Sequence, residues 1–227
     1  MPLYYETTPW LIPKADDRLA GLCRREGFFY TLAKGSVLQA KNAQGDGRNI
    51  ILTQSGLIGQ TYEMKDPARP HTISLVLPGR ILNYSGYLGI DNRCEKLLIL
   101  RDSDVWICRL EAFRQALERE GLSELFHKYC IDCVASDYGA FMCMFSCEAE
   151  QRLAHLFESL SRSLPCRTEG DMLHIPLRLT YAEMSYVMHS TVKTIERIVA
   201  KWHRCGALSA DADGFVVSRS HLDKLID

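Results

Sequence analysis

The sequence predicts an α+β fold in which a β-rich N-terminal half is followed by a long apolar helix and a small C-terminal helical domain. Three observations predict it. Short apolar runs separated by glycine and turn residues fill the first half. A long stretch with few helix breakers follows, and two segments with helical periodicity then precede an Asp-Gly turn. We expect three domains, spanning 1–110, 111–146 and 147–227.

The first domain is predicted to be an all-β sandwich or barrel. Its apolar runs are bounded by residues that favour turns, among them Gly35, Gly56 and the pair Pro78–Gly79. No glycine-rich phosphate loop leads into a helix, which argues against nucleotide hydrolysis. The predicted strands are 36–38, 49–52, 72–77, 97–100 and 104–108.

The second domain is predicted to be a long helix that is apolar on more than one side. Such a helix must be buried against something large. The β domain on one face and a twin helix on the other would bury it, so we expect a symmetric homodimer. Burial within one monomer is the alternative. A break near 146–148 is expected to separate it from a shorter helix, Ala149 to Ser163.

The third domain contains two short helices joined by a tight turn. The Thr180 hydroxyl can cap the first helix while Glu183 reaches back to the cap. The second helix has apolar residues at i, i+3, i+4 and i+7, which is typical of one buried face. A basic face is thereby predicted to point outward, as in helices that enter the DNA major groove. It carries Lys193, Arg197, Lys201 and Arg204.

A short hairpin is predicted to follow the two helices. Its strands are Ala207–Ala210 and Phe215–Val217, and its turn is Asp211–Gly214, in which Asp-Gly would supply positive φ angles. Pro165 is expected to end the preceding helix, with 166–171 as a polar connector. Helix, turn, helix and hairpin together predict a winged helix-turn-helix, while a small packed domain without DNA binding is the alternative.

Composition limits where the protein acts and what it binds. The 227 residues carry a formal net charge of −1, so affinity for nucleic acid must come from a local patch. No run has the length of a membrane span and the start lacks a signal peptide, so we expect a cytoplasmic protein without membrane contact. The nine cysteines are an odd number, which indicates reduced thiols. No zinc-ribbon spacing is present, and no metal site is predicted.

Several motifs, in this order and spacing, resemble the CRP/FNR family of transcription regulators over nearly the full length. Lys34–Leu38 resembles the family's KGxxL turn, and Pro78–Gly79 resembles its PGD turn. Leu110–Phe113 resembles the segment that ends the β domain, and Arg152–Leu156 resembles the RxAxxL start of the DNA-binding domain. The segment Ala182–Ile198 follows the family's helix-turn-helix. The resemblance implies a double-stranded β-helix, or jelly roll, like a cyclic-nucleotide-binding domain.

The resemblance also implies the residues that contact DNA. Groove contacts fall on Thr191, Val192, Lys193, Thr194 and Arg197, and Thr180 and Tyr181 would approach the phosphate backbone. The basic face predicted above adds Lys201. Val192–Lys193 stands where the family often has Arg-Glu, so the operator should differ from the best-known consensus. His189 replaces a glycine that is usual in the turn, and histidine tolerates the left-handed conformation.

The effector site is where this sequence departs most from the family. Cyclic-nucleotide-binding members carry a Gly-Glu-Leu segment and an Arg-Ser or Arg-Thr pair, where this chain has Asn83–Tyr84–Ser85 and Arg93–Cys94. The ribose glutamate and the hydroxyl are lost, which argues against a cyclic nucleotide. Asp137 and Tyr138 match the part of the long helix that touches effector. Tyr138 favours an aromatic effector, as in members that respond to halogenated phenols, or belongs to the dimer core.

The sequence therefore predicts a dimeric transcription regulator, not an enzyme, that binds an inverted repeat in double-stranded DNA and responds to an unidentified small molecule. RNA polymerase is a further candidate partner, and no cofactor is identified. The alternative is a regulator that responds to thiol oxidation, a soft metal or haem through Cys130/Cys133 and Cys143/Cys147. Core packing also explains these cysteines. A constitutive DNA binder with a vestigial sensor domain is another alternative.

Overall fold

A computed structural model describes residues 7–39, 49–62, 71–90 and 95–226. The chain divides into two compact units. The first unit is Ile12–Asp137, and the second comprises the described residues of Tyr138–Asp227 and of the segment that ends at Leu11. No helix in the described ranges is both long and apolar enough to cross a membrane.

The first unit is a β-sandwich flanked by helices. Its elements are α1 (Asp17–Glu26), β1 (Phe28–Leu32), β2 (Val37–Gln39), β3 (Asn49–Thr53), β4 (Leu57–Tyr62), β5 (His71–Val76), β6 (Ile81–Leu82), α2 (Tyr84–Tyr87), β7 (Glu95–Arg101), β8 (Ser103–Arg109), α3 (Leu110–Glu120) and the first part of α4 (Ser123–Ser146). The two antiparallel four-stranded sheets have the strand orders β1-β8-β3-β6 and β2-β7-β4-β5. The predicted jelly-roll class is confirmed.

All five predicted strands are present, with shifted ends, as β2, β3, β5, β7 and β8. Three further strands, β1, β4 and β6, and the helices α1 and α2 were not predicted. Helix α1 is amphipathic, with Leu19, Leu22 and Cys23 buried, and Asp16 caps it by accepting from the Arg18 N–H at 2.9 Å. Strand β1 lies at a sheet edge and is largely exposed, so its five residues lack the alternation that marks a half-buried strand.

The single helix predicted over 111–146 is two helices. Helix α3 ends at Glu120 because Gly121 adopts φ 67°, the left-handed conformation that glycine accepts without strain. The Leu122 N–H then donates to the Leu117 carbonyl at 2.8 Å, which closes the helix end. Helix α4 starts afresh at Ser123. The predicted end near 146 and the shorter helix α5 (Ala149–Ser163) are both present.

The second unit holds α5 and the end of α4. Its remaining elements are β9 (Arg167–Glu169), β10 (Met172–Ile175), α6 (Tyr181–Val187), α7 (Val192–Arg204), β11 (Leu208–Ala210), β12 (Phe215–Ser218) and α8 (Arg219–Ile226). The four strands form an antiparallel sheet ordered β11-β12-β10-β9. The predicted polar connector 166–171 is partly a strand, because Gly170 turns β9 onto β10 at φ 60°.

The predicted hairpin is present as β11 and β12, but its turn works differently. Neither Asp213 nor Gly214 has a positive φ, so that part of the prediction is wrong. The Asp211 carboxylate instead accepts from the Asp213 and Gly214 N–H groups, both at 2.9 Å. Glycine is needed because a Cβ at 214 would lie 2.0 Å from the Ile175 carbonyl oxygen.

One buried tyrosine ties α4 to the sandwich. The Tyr129 hydroxyl accepts from the Ile81 N–H at 2.8 Å and donates to the Ile81 carbonyl at 2.9 Å. Burial raises the pKa of Tyr129 well above its usual value, so the phenol stays neutral. Strand β6 is only two residues long, and Tyr129 satisfies backbone groups at its first residue.

Tyr129→Phe should destabilise the fold, because it leaves the buried Ile81 N–H without its acceptor. The expected loss is about 1–3 kcal/mol of unfolding free energy. Urea denaturation followed by circular dichroism measures it. Tyr30→Phe removes a hydroxyl from an exposed side chain and serves as the control, with an expected change within about 0.5 kcal/mol. Equal midpoints for the two variants would refute the assigned role.

Candidate nucleic-acid interface and effector site

The predicted capping box of α6 is present. The Thr180 N–H donates to Glu183 Oε2 at 2.7 Å, and the Glu183 N–H donates to Thr180 Oγ1 at 3.1 Å. In each bond a backbone N–H at the start of the helix donates to the side chain of the other residue, and the two bonds together fix where α6 begins. Thr180 and Tyr181, the predicted phosphate contacts, lie exposed at this end.

The turn between α6 and α7 is made by His189 in the left-handed conformation, at φ 47°. This confirms that histidine takes the conformation for which the family uses glycine. The Ser190 N–H donates to the Ser185 carbonyl at 3.0 Å, and Thr191 caps α7 by accepting from the Thr194 N–H at 3.1 Å. The N-terminus of α7 is therefore well defined.

Helix α7 separates an apolar face from a polar one. Its buried side consists of Ile195, Ile198, Val199 and Trp202, as the periodicity predicted. Thr191, Val192, Lys193 and Arg197 are exposed, and Thr194 is half-buried with its hydroxyl 2.9 Å from that of Thr191. The N-terminal half of α7 thus presents hydroxyl and cationic groups, which are the groups that bind phosphates and base edges.

The C-terminal half of the basic face is partly neutralised. The Lys201 ammonium donates to both carboxylate oxygens of Glu150 at 2.8 Å, and the Trp202 indole N–H donates to the same carboxylate at 2.7 Å. Burial acts to raise the pKa of Glu150, but these bonds outweigh it and leave the pKa below its usual value. DNA contact by Lys201 stays a prediction, since its charge is already paired.

Arg197 and Arg204 are two other cations on the basic face of α7. Together with Lys201 and Glu150 they line a cavity of about 410 Å³ between the start of α5 and α7. Glu150 is 51 residues away from Lys201 and was not among the predicted site residues. The only available signal was an acidic residue in the first turn of α5, where it also suits the helix dipole.

Two of the predicted effector residues meet in the first unit. The Tyr84 hydroxyl donates a short hydrogen bond to Asp137 Oδ2, and the Ser74 hydroxyl donates to Asp137 Oδ1 at 2.6 Å. Burial raises the pKa of Asp137, and the two hydroxyl donors offset part of that rise. A carboxylate with two neutral donors is thus held against the sandwich.

The other predicted effector residues fall in different places. Asn83 is buried in the left-handed conformation and donates from its side-chain amide to the Asn49 carbonyl at 2.6 Å, and Ser85 is also buried. Tyr138 is exposed. Arg93 and Cys94 lie outside the described residues.

The paired cysteines of α4 differ in their surroundings. Cys130 and Cys133 are buried in the core of the first unit, and burial raises the pKa of Cys130 to about 12 and that of Cys133 well above its usual value. Thiolate is the reactive form, so both are poor redox groups at neutral pH. Cys143 is also buried, whereas Cys147 is half-buried.

No protein-family model matches the sequence, and no curated protein matches it either. Solved structures do match along nearly the whole chain, and they define the class: this is the fold of the CRP/FNR family regulators. At identities of 12–15% the likeness establishes the fold.

Three particular structures illustrate the match. A cyclic nucleotide-binding domain containing protein from Listeria monocytogenes EGD-e has a TM-score of 0.72 at 12% identity, over 92% of this chain and 99% of that one. A CooA mutant from Carboxydothermus hydrogenoformans has a TM-score of 0.70 at 13% identity, over 99% and 98%. A CprK variant complexed with OCPA has a TM-score of 0.68 at 15% identity, over 97% and 100%.

Asp137→Asn should change how stability depends on pH. In the unfolded chain Asp137 titrates near its ordinary pKa of 3.8, and in the folded chain it titrates above that value. The folded chain therefore binds more protons between the two values, so the stability that Asp137 contributes is fully present below 3.8 and is lost as pH rises through the folded pKa. The difference in unfolding free energy, wild type minus variant, should fall with rising pH across this window.

Ser74→Ala provides the matched comparison. It removes one of the hydrogen bonds that lower the pKa of Asp137, so the same decline should extend to higher pH. Urea denaturation at closely spaced pH values measures both effects. A difference between wild type and Asp137→Asn that does not vary with pH would contradict the assigned surroundings of the carboxylate.

Proposed function

We propose that this chain is a dimeric, ligand-responsive transcription regulator of the CRP/FNR family that binds an inverted repeat in double-stranded DNA. The observation that carries the proposal is the outer face of α7, where Lys193 and Arg197 are exposed beside a capped helix N-terminus. Among the described residues neither cation belongs to an ion pair.

The geometry of α7 suits the DNA major groove. The groove of about 12 Å admits one α-helix, with the residues at its N-terminal end toward the bases. Arg197 and Lys193 are one helical turn apart and can donate to guanine O6 and N7, while Thr191 and Thr194 can donate to phosphate. Thr180 and Tyr181 extend this surface from α6. The overall charge of −1 means that this local surface must supply the attraction.

Dimer formation is supported by an unpartnered apolar stripe along α4. Five large side chains follow each other at spacings of three and four residues, the heptad pattern of a two-stranded coiled coil. Their exposed fractions are far above those of the core. They are Ile131 (65%), Val134 (43%), Tyr138 (61%), Phe141 (41%) and Phe145 (86%).

The stripe also bears on the role of Tyr138. Because Tyr138 is its central member, it would contact the twin helix, and Asp137 faces the sandwich instead. We therefore assign effector contact to Tyr84 and Asp137. A buried carboxylate there disfavours a phosphate-bearing cyclic nucleotide and suits an effector that can donate hydrogen bonds. A bound compound on this fold has a precedent in CprK, which was solved complexed with OCPA.

Arg197→Ala and Lys193→Ala should each weaken operator binding. The expected loss is about 1–3 kcal/mol for a residue that reads a base, equivalent to about 5- to 150-fold, with reduced discrimination at one position of each half-site. An inverted-repeat operator is first selected from random duplexes, and fluorescence anisotropy then measures affinity at several salt concentrations.

Lys224→Ala is the control, because it removes the same charge from the exposed surface of α8. Its effect on operator affinity should be small. Two half-sites about 34 Å apart are required if two copies of α7 enter successive major grooves. A selected site without two-fold symmetry, or equal affinity for all three variants, would refute the proposed mode of binding.

Ile131→Glu and Phe141→Glu should dissociate the dimer. Each copy of the helix would lose about 1.5–3 kcal/mol of apolar burial, so the dimer dissociation constant should rise about a hundredfold or more. Sedimentation equilibrium measures it. Lys128→Glu places a glutamate at an exposed position of α4 outside the stripe and should leave the dimer intact. A wild-type chain that stays monomeric at high concentration would overturn this part of the proposal.

A further inference from the structure

Three side chains that can bind a metal ion meet where α4 ends and α5 begins, within the second unit. Cys143 lies in the last turns of α4, Cys147 follows just past the helix end, and His155 lies in the second turn of α5. The two sulfur atoms and a ring nitrogen all lie within 4.8 Å of one another. Neither the DNA surface nor the effector site uses these residues.

The separations fit a single ion. Zinc–sulfur bonds are about 2.3 Å long, so two sulfurs on one ion are at most about 4.6 Å apart. Only a small adjustment of side chains is therefore needed. The backbone already holds the two thiols together, because the Cys147 N–H donates to the Cys143 carbonyl at 3.0 Å. The bend after Ser146 then brings α5 and His155 to the same place.

The surroundings favour ligation over simple core packing. Cys143 and His155 are buried and Cys147 is half-buried, so an ion would enter past Cys147 into a largely dry site. The ligand atoms of all three side chains already face one another in this site.

We propose that Cys143, Cys147 and His155 form a binding site for one thiophilic d¹⁰ metal ion, Zn²⁺ or Cu⁺, held through two thiolates and one imidazole. Soft sulfur ligands select such ions over Mg²⁺ or Ca²⁺. Binding replaces the two thiol protons, which pass to the buffer. Three ligands suffice for Cu⁺, and Zn²⁺ would take water as the fourth.

The position of the site gives the ion a mechanical role. Its ligands come from both sides of the break at 147–148, so the ion would fix the end of α4 to α5 and limit bending between them. Helix α5 also carries Glu150, which holds the end of α7 through Lys201 and Trp202. An effect of the ion on DNA binding rests on the function proposed above, whereas ion binding itself does not.

The test is a metal titration of the reduced, metal-free, full-length protein under anaerobic conditions. Zn²⁺ and Cu⁺ are each titrated against a chromophoric chelator, and Co²⁺ serves as a spectroscopic probe for thiolate ligation. We expect one ion per chain. Cys143→Ser, Cys147→Ser and His155→Gln should each weaken binding tenfold or more and reduce the Co²⁺ thiolate absorption. Cys166→Ser and Cys205→Ser, in the same unit but outside the cluster, should leave both unchanged.

The outcomes are distinct. Tight binding of Zn²⁺ alone or of Cu⁺ alone supports the site and identifies the ion. Less than one ion per chain, or equal binding by the triple variant, overturns the proposal. Loss of two titratable thiols in the absence of an ion would mean that Cys143 and Cys147 have oxidised, and this too overturns it. Cys147 is half-buried, so Cys147→Ser should remain folded, and thermal unfolding checks each variant. Operator affinity is measured in a separate experiment. If the protein does not bind an operator, the measured metal stoichiometry and affinity still stand.

Discussion

The burial of one side of helix α4 against the sandwich is the constraint on which the rest of the first unit depends. One side of its first half packs into the core of the first unit through Phe126, Tyr129, Cys130 and Cys133. Tyr129 adds hydrogen bonds to the Ile81 backbone, and these bonds fix the position of the helix relative to strand β6. The other side carries large apolar groups that remain in water in a single chain. In the proposed dimer a twin helix would cover this exposed side.

The position of the outer face of α7, the proposed DNA-binding surface, depends on a smaller contact. Glu150 in the first turn of α5 accepts hydrogen bonds from Lys201 and Trp202 near the end of α7, and it is largely buried in doing so. This carboxylate therefore sets the orientation of α7 relative to α5. Two of the four cations of the basic face, Lys193 and Arg197, remain outside this contact, and they are the two nearest the N-terminus of the helix. The C-terminal half of α7, which is bonded to Glu150, thereby positions the N-terminal half, which carries Lys193 and Arg197.

Local patterns predicted the elements well, and long-range contacts could not be predicted. The capping box at Thr180 and the apolar stripe of α7 depend on spacings of three and four residues, so the sequence contains them directly. The pairing of Lys201 with Glu150 depends on how two helices pack, which no spacing encodes. The meeting of Tyr84 with Asp137 was expected only through the family resemblance. Physical patterning alone contains no signal that joins residues 53 positions apart.

The errors have physical reasons as well. A stretch without proline between 111 and 146 favours one helix, but a single left-handed residue at Gly121 is enough to end it. The turn of the hairpin has an Asp-Gly pair, which commonly indicates positive φ angles. Here the glycine is required by the nearby Ile175 carbonyl. A glycine can be required for its left-handed conformation, as at Gly121, or for its lack of a side chain, as at Gly214. The sequence does not distinguish the two roles.

The break at Gly121 has a consequence for how the chain tolerates insertions and deletions. Each residue advances a helix by about 100°, so one extra residue inside α4 would rotate every later side chain relative to the side that packs in the core. Because α4 begins anew after the glycine, a length change in the turn at 121–122 does not alter the order of buried and exposed positions within α4 itself.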